Sequence, residues 1–375
     1  MPPTPPGSVP PPHGFPPPSG GPSGYPGPAF PSRSWQQPQG PRRGNGWKWA
    51  LGTVALVAVV GVTAAVTSTV VHKEGESTSP SAEAPTSATG GASAEIASSD
   101  DTRPVTVIAE DPSCAAATPI LETRAAIQRN GWDKRDASLP AAAWSAEVRA
   151  QYEAVAQSMR LSADQLVPVA KLTPHRVMRE LYEQIIAYSR AYAESVSAYT
   201  PEDNAALVST NASTAVSLIC VAIKNGSAAA RGPLTVQGPT RSDLQQVGDV
   251  SSPGRFLTEP NPECSTWEKA LNDFDNDTVQ WRAISADIPA GEWTPEQKSI
   301  TDAVIPVMRR LATQQVQSGE QSGNAVWRDF ADLSAQYRLA YAEALPTYVA
   351  SDDVLSAVSL RLGSVVSSAC RLVEK

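Results

Sequence analysis

Cysteine is the residue type whose chemistry this sequence constrains most. Cys114 and Cys220 lie 106 positions apart, and so do Cys264 and Cys370. Thiols can ligate a metal, attack a carbon or sulfur centre, or oxidise in pairs. No Cys-x-x-Cys spacing and no neighbouring histidine accompanies any of the four, which argues against zinc and against a reactive thiol. Oxidation to two disulfides is the remaining chemistry. Three pairings exist in principle, and the duplication described below selects Cys114–Cys220 and Cys264–Cys370. Each bridge would remove unfolded-state entropy worth roughly 4–5 kcal/mol in the chain-entropy model. It would also require an oxidising compartment.

Other chemically capable residues are sparse. His175 is the one histidine beyond residue 73, and its duplicate position holds Asn324. A Ser–His–Asp arrangement would rest on it alone, so it reads as an exposed first-turn histidine. Asn272 to Asp277 alternates acids as a calcium loop does, but Thr278 replaces the glycine and Ile284 the final glutamate. It reads as a solvated acidic stretch. Matched charges recur at Glu147/Glu296, Arg160/Arg309, Arg179/Arg328, Glu194/Glu343 and Asp203/Asp352. Acid–base catalysis would need two carboxylates side by side, which spacing cannot establish. Ion pairs and helix capping explain these residues equally well. Tyr188, Tyr192 and Tyr199, with Tyr337, Tyr341 and Tyr348, form two stripes. They would line either an aromatic groove for lipid, glycan or peptide, or a core with hydroxyls at its rim, and the core is favoured. No catalytic residue, cofactor or metal is expected.

The elements that position these residues are repeated. A shift of 149 superimposes Trp132 on Trp281, Trp144 on Trp293, Met159-Arg160 on Met308-Arg309, and Ala191-Tyr192-Ala193-Glu194 on Ala340-Tyr341-Ala342-Glu343. So many matched aromatics imply two homologous repeats, here 112–224 and 262–375. Apolar residues at steps of three, four and seven predict helices at 114–129, 145–163, 174–199 and 202–223, then at 264–284, 295–317, 324–348 and 351–373. Thr294-Pro295-Glu296-Gln297 carries a capping hydroxyl, proline at the first helical position and glutamine at the third. The expected fold is all-α, with two tandem four-helix-type bundles, each closed by a disulfide. Residues 225–261 would connect them.

Ahead of the repeats stands an uncharged Val- and Ala-rich run, 49–71, long enough to cross a bilayer core of about 30 Å. With Trp47 and Lys48 at its start, 47–71 reads as a transmembrane signal-anchor contacting the lipid bilayer. Residues 1–46 hold 16 of the 34 prolines and should be a disordered tail, open to a cytosolic partner with an aromatic-lined groove. Residues 72–111 read as a flexible Ser/Thr/Ala linker. Five of the 30 Lys and Arg, and none of the 38 acids, fall in 1–73. The basic side stays in the cytoplasm, so the repeats are expected outside. Their acidic balance excludes nucleic acid as a partner.

The PPPHGFPPPSGGPSGYPGP tail, the Ala/Val anchor and the cysteine-bounded, Lys-poor exterior resemble single-pass envelope proteins of actinobacteria and mycobacteria. That resemblance implies a place in the cell membrane with the C-terminal part extracytoplasmic, and no catalytic residue. The function expected is a non-enzymatic envelope interaction or scaffold protein. The alternatives are a lipid- or cell-wall-glycan-binding module using an inter-helix groove and, second, an envelope hydrolase.

Overall fold

Each half of the chain condenses its apolar stripes into helices that share one core. The computed structural model describes residues 96–203, 205–241 and 243–374, to which every structural statement here applies. The Pro-rich segment 1–46, the apolar run 47–71 and linker residues 72–95 lie outside them. The helices are α1 (Ser113–Arg129), α2 (Ala146–Ala170), α3 (Arg176–Ser195), α4 (Ala205–Lys224) and the short α5 (Ser227–Arg231). Then follow α6 (Glu263–Asp277), the short α7 (Val279–Arg282), α8 (Pro295–Gln321), α9 (Ala325–Ala344) and α10 (Asp353–Val373). No strand occurs among the described residues.

Local chemistry sets the helix ends. The Thr294 hydroxyl accepts from the Gln297 amide while Gln297 reaches back to the Thr294 amide, closing the capping box at the start of α8. Ser145 caps α2 through the Val148 amide. Helix α2 runs seven residues beyond the 163 expected from periodicity, because Leu166, Val169 and Ala170 are buried and tertiary packing extends it. Helices α3 and α9 each close in a 3-10 turn, at Val196–Ala198 and Leu345–Thr347.

The duplication is visible in contacts as well as in element order. Trp144 stacks on Tyr199 at 5.5 Å between centroids, and Trp293 on Tyr348 at 5.8 Å. The indole N–H of Trp144 donates to the Leu139 carbonyl at 2.9 Å, that of Trp293 to Ile288 at 3.0 Å. Tyr199 donates to the Ala137 carbonyl, Tyr348 to Ala286. The Ala141 and Ala290 amides bond the Tyr199 and Tyr348 carbonyls, both at 2.9 Å.

Two expectations need correction. Residues 96–111, assigned to the flexible linker, lie on the folded unit with Val105, Val107 and Ile108 buried. Alternating aliphatics after Pro104 form an extended strap that ends in the core. The connector 225–261 touches the same core through Val250 and Leu257, which are buried, while Leu234 and Val236 stay exposed. The two repeats therefore form one contiguous hydrophobic core, in which α4 lies against α10 and α3 against α9. Residues 205–224 and 350–373 are each long and apolar enough to cross a membrane by length and composition, and 67% of each window is buried inside the unit.

Candidate functional site

The residues singled out in the sequence are mostly structural. Both disulfides form within their repeats, with Cα–Cα distances of 5.5 Å for Cys114–Cys220 and 5.6 Å for Cys264–Cys370. They tie α1 to α4 and α6 to α10. All six stripe tyrosines are buried, so they are core and line no groove. Burial pushes the Tyr188, Tyr192, Tyr199 and Tyr337 hydroxyls above the ordinary phenol value. His175 is the N-cap residue of α3, half-buried rather than exposed, with Nε2 at 3.0 Å from the Glu110 carbonyl. In the acidic stretch, Asp273 pairs with Lys269, Asp275 with Arg282 and Asp277 with Arg310. No group of three His, Cys, Asp or Glu side chains among the described residues is placed to hold a metal. The matched Arg309 and Glu343 form an ion pair at 2.6 Å.

What the structure brings together lies at the seam between repeats. Glu180 on α3 and Asp329 on α9 occupy duplicate positions, and their carboxyls face each other across that seam. Arg176 grips Asp329 through two bonds, Nε at 2.6 Å and Nη2 at 3.3 Å, with side-chain exposures of 3% and 1%. Its remaining nitrogen bonds the Asp101 and Arg103 carbonyls at 2.6 and 3.4 Å. Glu180 is fully buried, and no N–H or hydroxyl among the described residues bonds its oxygens; the Asp329 carboxyl is the group within hydrogen-bond reach. Arg179 stands 3.7 Å from it and 3.2 Å from Glu183. Burial first, and then the Asp329 charge, raise the Glu180 carboxyl well above the usual carboxylate range. Burial and the facing charge thus both favour the neutral form of Glu180. On α9 the connector supplies the partners: Asp243 for Arg328 and Arg241 for Asp332.

The second seam, between α4 and α10, repeats this geometry. Asn211 and Arg361, matched at the shift of 150 that superimposes Cys220 on Cys370, meet at 3.4 Å, and the Asn211 amide donates to the Ser368 hydroxyl at 3.0 Å. Asn211 is buried at this seam. Duplicate residues meeting at both seams is the signature of a two-fold relation between the repeats, an isologous interface inside one chain.

The straps obey the same relation and cross over. Pro104-Val105-Thr106-Val107-Ile108 precedes the first repeat, and Pro253-Gly254-Arg255-Phe256-Leu257 takes the equivalent place before the second. Tyr337, on the second repeat, donates its hydroxyl to the Ile108 carbonyl at 3.4 Å. Its duplicate Tyr188, on the first, donates to the Leu257 carbonyl at 3.1 Å. Each repeat thus holds the other's strap. The first strap is also held by its own repeat, at Glu110 by His175 and at Asp111 by Thr173. Sequence reasoning missed the straps and the acid pair, although the same shift of 149 aligns Pro104 with Pro253, Ile108 with Leu257 and Glu180 with Asp329.

One buried group stands apart. Among the described residues Arg124, with 2% exposure, bonds the Ser189 and Ser209 hydroxyls alone, at 3.0 and 2.9 Å, and burial lowers its pKa to about 9. In the second repeat the guanidinium comes from the other helix. Arg338, at the position of Ser189, lies 4.7 Å over the ring of Phe274, which takes the place of Arg124 at the shift of 150 that superimposes Cys114 on Cys264.

Comparison with known proteins gives a consistent result. A family model described as mycobacterial ESX-1 associated protein matches residues 96–374, the whole of the described unit. An uncharacterized protein of Mycolicibacterium smegmatis (strain MKD8) is 49% identical over 344 residues, covering 91% of this chain and 90% of its own. That alignment is longer than the family segment and so extends into the residues that precede it. No solved structure matches.

Proposed function

This chain belongs to the family of mycobacterial ESX-1 associated proteins, and on that premise we propose that it is a non-enzymatic accessory of the ESX-1 secretion machinery in the cell envelope. The carrying observation is that the family match spans the entire two-repeat unit, including both straps and both seams, so the family property belongs to that unit as a whole. In this reading residues 47–71 span the membrane once and the tail 1–46 stays in the cytoplasm. The double-repeat unit stands outside on the segment 72–95 as an interaction body. Three things support the placement. The charge asymmetry around the apolar run favours a basic side that stays in. The two disulfides suit an oxidising compartment. The likeness of the tail, the Ala/Val run and the cysteine-bounded region to single-pass envelope proteins points the same way. Buried ion pairs and exchanged straps suit a rigid binding surface better than a mobile catalytic cleft.

The test is genetic and chemical. In a mycobacterium carrying a chromosomal deletion of residues 96–374, export of ESX-1 substrates into the medium is expected to fall. A photo-crosslinker on an exposed face of α2 or α8 in the full chain is expected to capture a component of that machinery. Unchanged export together with no captured component refutes the reading. Protease added to intact spheroplasts should cut the double-repeat unit and spare the tail, and the reverse pattern overturns the orientation.

A further inference from the structure

The two disulfides staple helices that dock on their repeats in unlike ways. The core-facing stripe of α6 is Cys264, Trp267, Ala270 and Phe274. Trp267 packs edge-on against Trp327 at 5.9 Å and donates its indole N–H to the Gly363 carbonyl at 3.1 Å. At the shift of 150 that superimposes Cys114 on Cys264, Ala117 stands in place of Trp267 and Arg124 in place of Phe274. The buried stripe of α1 is Ser113, Ala117, Leu121, Arg124 and Gln128, three of the five polar. Its contacts include bonds to hydroxyls: Ser113 with Tyr182 at 2.8 Å, Arg124 with Ser189 and Ser209, and Gln128 with Thr210 at 3.3 Å. Released to water, such groups exchange one set of hydrogen bonds for another, whereas Trp267 and Phe274 would expose large apolar rings. Pro119 also deprives α1 of a backbone amide in its interior, and α6 contains no proline.

The helix with the polar docking face also carries the accessible bridge. Cys114 and Cys220 are both half-buried, whereas Cys264 and Cys370 are both fully buried. Thiol–disulfide exchange needs a thiolate to reach a bridge sulfur, so access selects the first bridge. That bridge ties the start of α1 to the end of α4. Without it α1 is left with Leu121 and Ala117 as its fully buried apolar anchors and a guanidinium that faces no carboxylate among the described residues.

We propose that α1 is a redox-released element: the Cys114–Cys220 bridge is the latch that keeps it docked, and reduction of that bridge by a thioredoxin-type dithiol frees residues 113–129 while α2, α3 and α4 stay folded. One thiolate of the dithiol bonds to a bridge sulfur, the Cys114–Cys220 bond breaks, and the other cysteine leaves as a thiolate that takes up a proton. The second thiol of the dithiol then loses its proton and displaces the first cysteine. The dithiol ends as a disulfide and both cysteines as thiols. The second repeat has no such latch, because α6 is docked by its own aromatics and its bridge is sealed. The latch is a property of the unit itself and does not rest on the ESX-1 reading.

Hydrogen exchange read by mass spectrometry on the detergent-solubilised full chain tests the latch. In the double variant Cys114→Ala with Cys220→Ala, the amides of α1 are expected to exchange at least about 30-fold faster than in the oxidised chain, with α3 unchanged. In Cys264→Ala with Cys370→Ala, those of α6 are expected to change by less than about threefold. Adding Arg124→Met to the first double variant is expected to return α1 most of the way to its oxidised protection. A bridge that acts only by restricting the unfolded chain would not give that rescue. Timed treatment of the unmodified chain with a thioredoxin-type dithiol repeats the reading without any variant. Faster exchange of α1 should then appear in step with alkylation of Cys114 and Cys220, before Cys264 or Cys370 reacts. Equal responses of α1 and α6, helices α1 to α4 exchanging together, or an α1 that stays protected once its bridge is open overturns the proposal. A first bridge that the dithiol leaves closed in the folded chain overturns it as well.

Discussion

Arg176, Arg179, Glu180, Asp329 and Glu183 form a buried charge cluster whose response to mutation can be worked out. Asp329 is the carboxylate that neutralises Arg176, and both are almost wholly buried. Removing one partner of such a pair ordinarily costs about 3–5 kcal/mol, because a charge is stranded. Here a reserve exists. Burial and then the Asp329 charge raise the Glu180 carboxyl, with Arg179 and Arg176 acting in the opposite direction. In Asp329→Asn the repulsive charge is gone, so Glu180 ionises and takes over part of the neutralisation. We predict that this variant loses about 1–2 kcal/mol, that Glu180→Gln alone stays within about 1 kcal/mol, and that the double variant loses the full 3–5 kcal/mol. For a unit of this size that full loss lowers Tm by roughly 6–10 °C. Urea unfolding of the oxidised chain measures all three. Single effects that sum to the double within about 0.5 kcal/mol would show that Glu180 does not respond to Asp329, and the account of the seam would be wrong. The pH dependence gives a second check. Glu180 keeps its proton in the folded state after the unfolded chain has lost it, so stability falls as pH rises from the ordinary glutamate value towards the raised one. Glu180→Gln removes that contribution and leaves the like-signed one of Glu183, whose carboxyl burial also raises. Asp101 and Arg103 also border Arg176 and are unchanged in all three variants.

Two further outcomes are expected. Cys264 and Cys370 are fully buried, whereas Cys114 and Cys220 are partly exposed, so limiting reductant followed by alkylation and mass analysis should label the first pair of cysteines well before the second. Arg124→Met keeps the volume of the stem and discards a guanidinium that faces no carboxylate among the described residues. Stability at neutral pH should hold or rise, by up to about 4 kcal/mol, and a loss above about 1 kcal/mol would show that the bonds to Ser189 and Ser209 outweigh the burial. The wild type should itself gain stability as pH climbs past about 9, where the folded form sheds a proton that the unfolded form keeps. Arg124→Met should lack that rise.

How much of this was legible in the sequence depends on how far apart the interacting parts lie. Repeats, helices and disulfide pairing were readable because Trp, Tyr and Cys are rare, and their coincidence at one shift is informative. Helix ends at Thr294 and Ser145 were local chemistry, and the first was read from four consecutive residues. The straps were missed because Thr-Val-Ile beside Ser- and Ala-rich sequence resembles more tether, and burial of Ile108 depends on a tyrosine 229 positions away. Separate bundles were expected because each repeat is long enough for its own core. The apolar faces of α4 and α10 exceed what one bundle can cover, and they cover each other instead. Glu180 and Asp329 were hidden for a different reason. A buried acid on a helix looks, in sequence, like any solvated one.

The order in which the chain meets its fastenings has a mechanical consequence. A pull applied through residue 96 first loads the strap, held by side-on bonds to His175, Arg176 and Tyr337 that can be peeled one at a time. Three residues past Asp111 the load reaches Cys114, where a covalent bridge hands it to Cys220 and bypasses all the helices between. The strap is therefore the fuse of this molecule. It is the stretch that yields under tension, and it yields without unravelling either half.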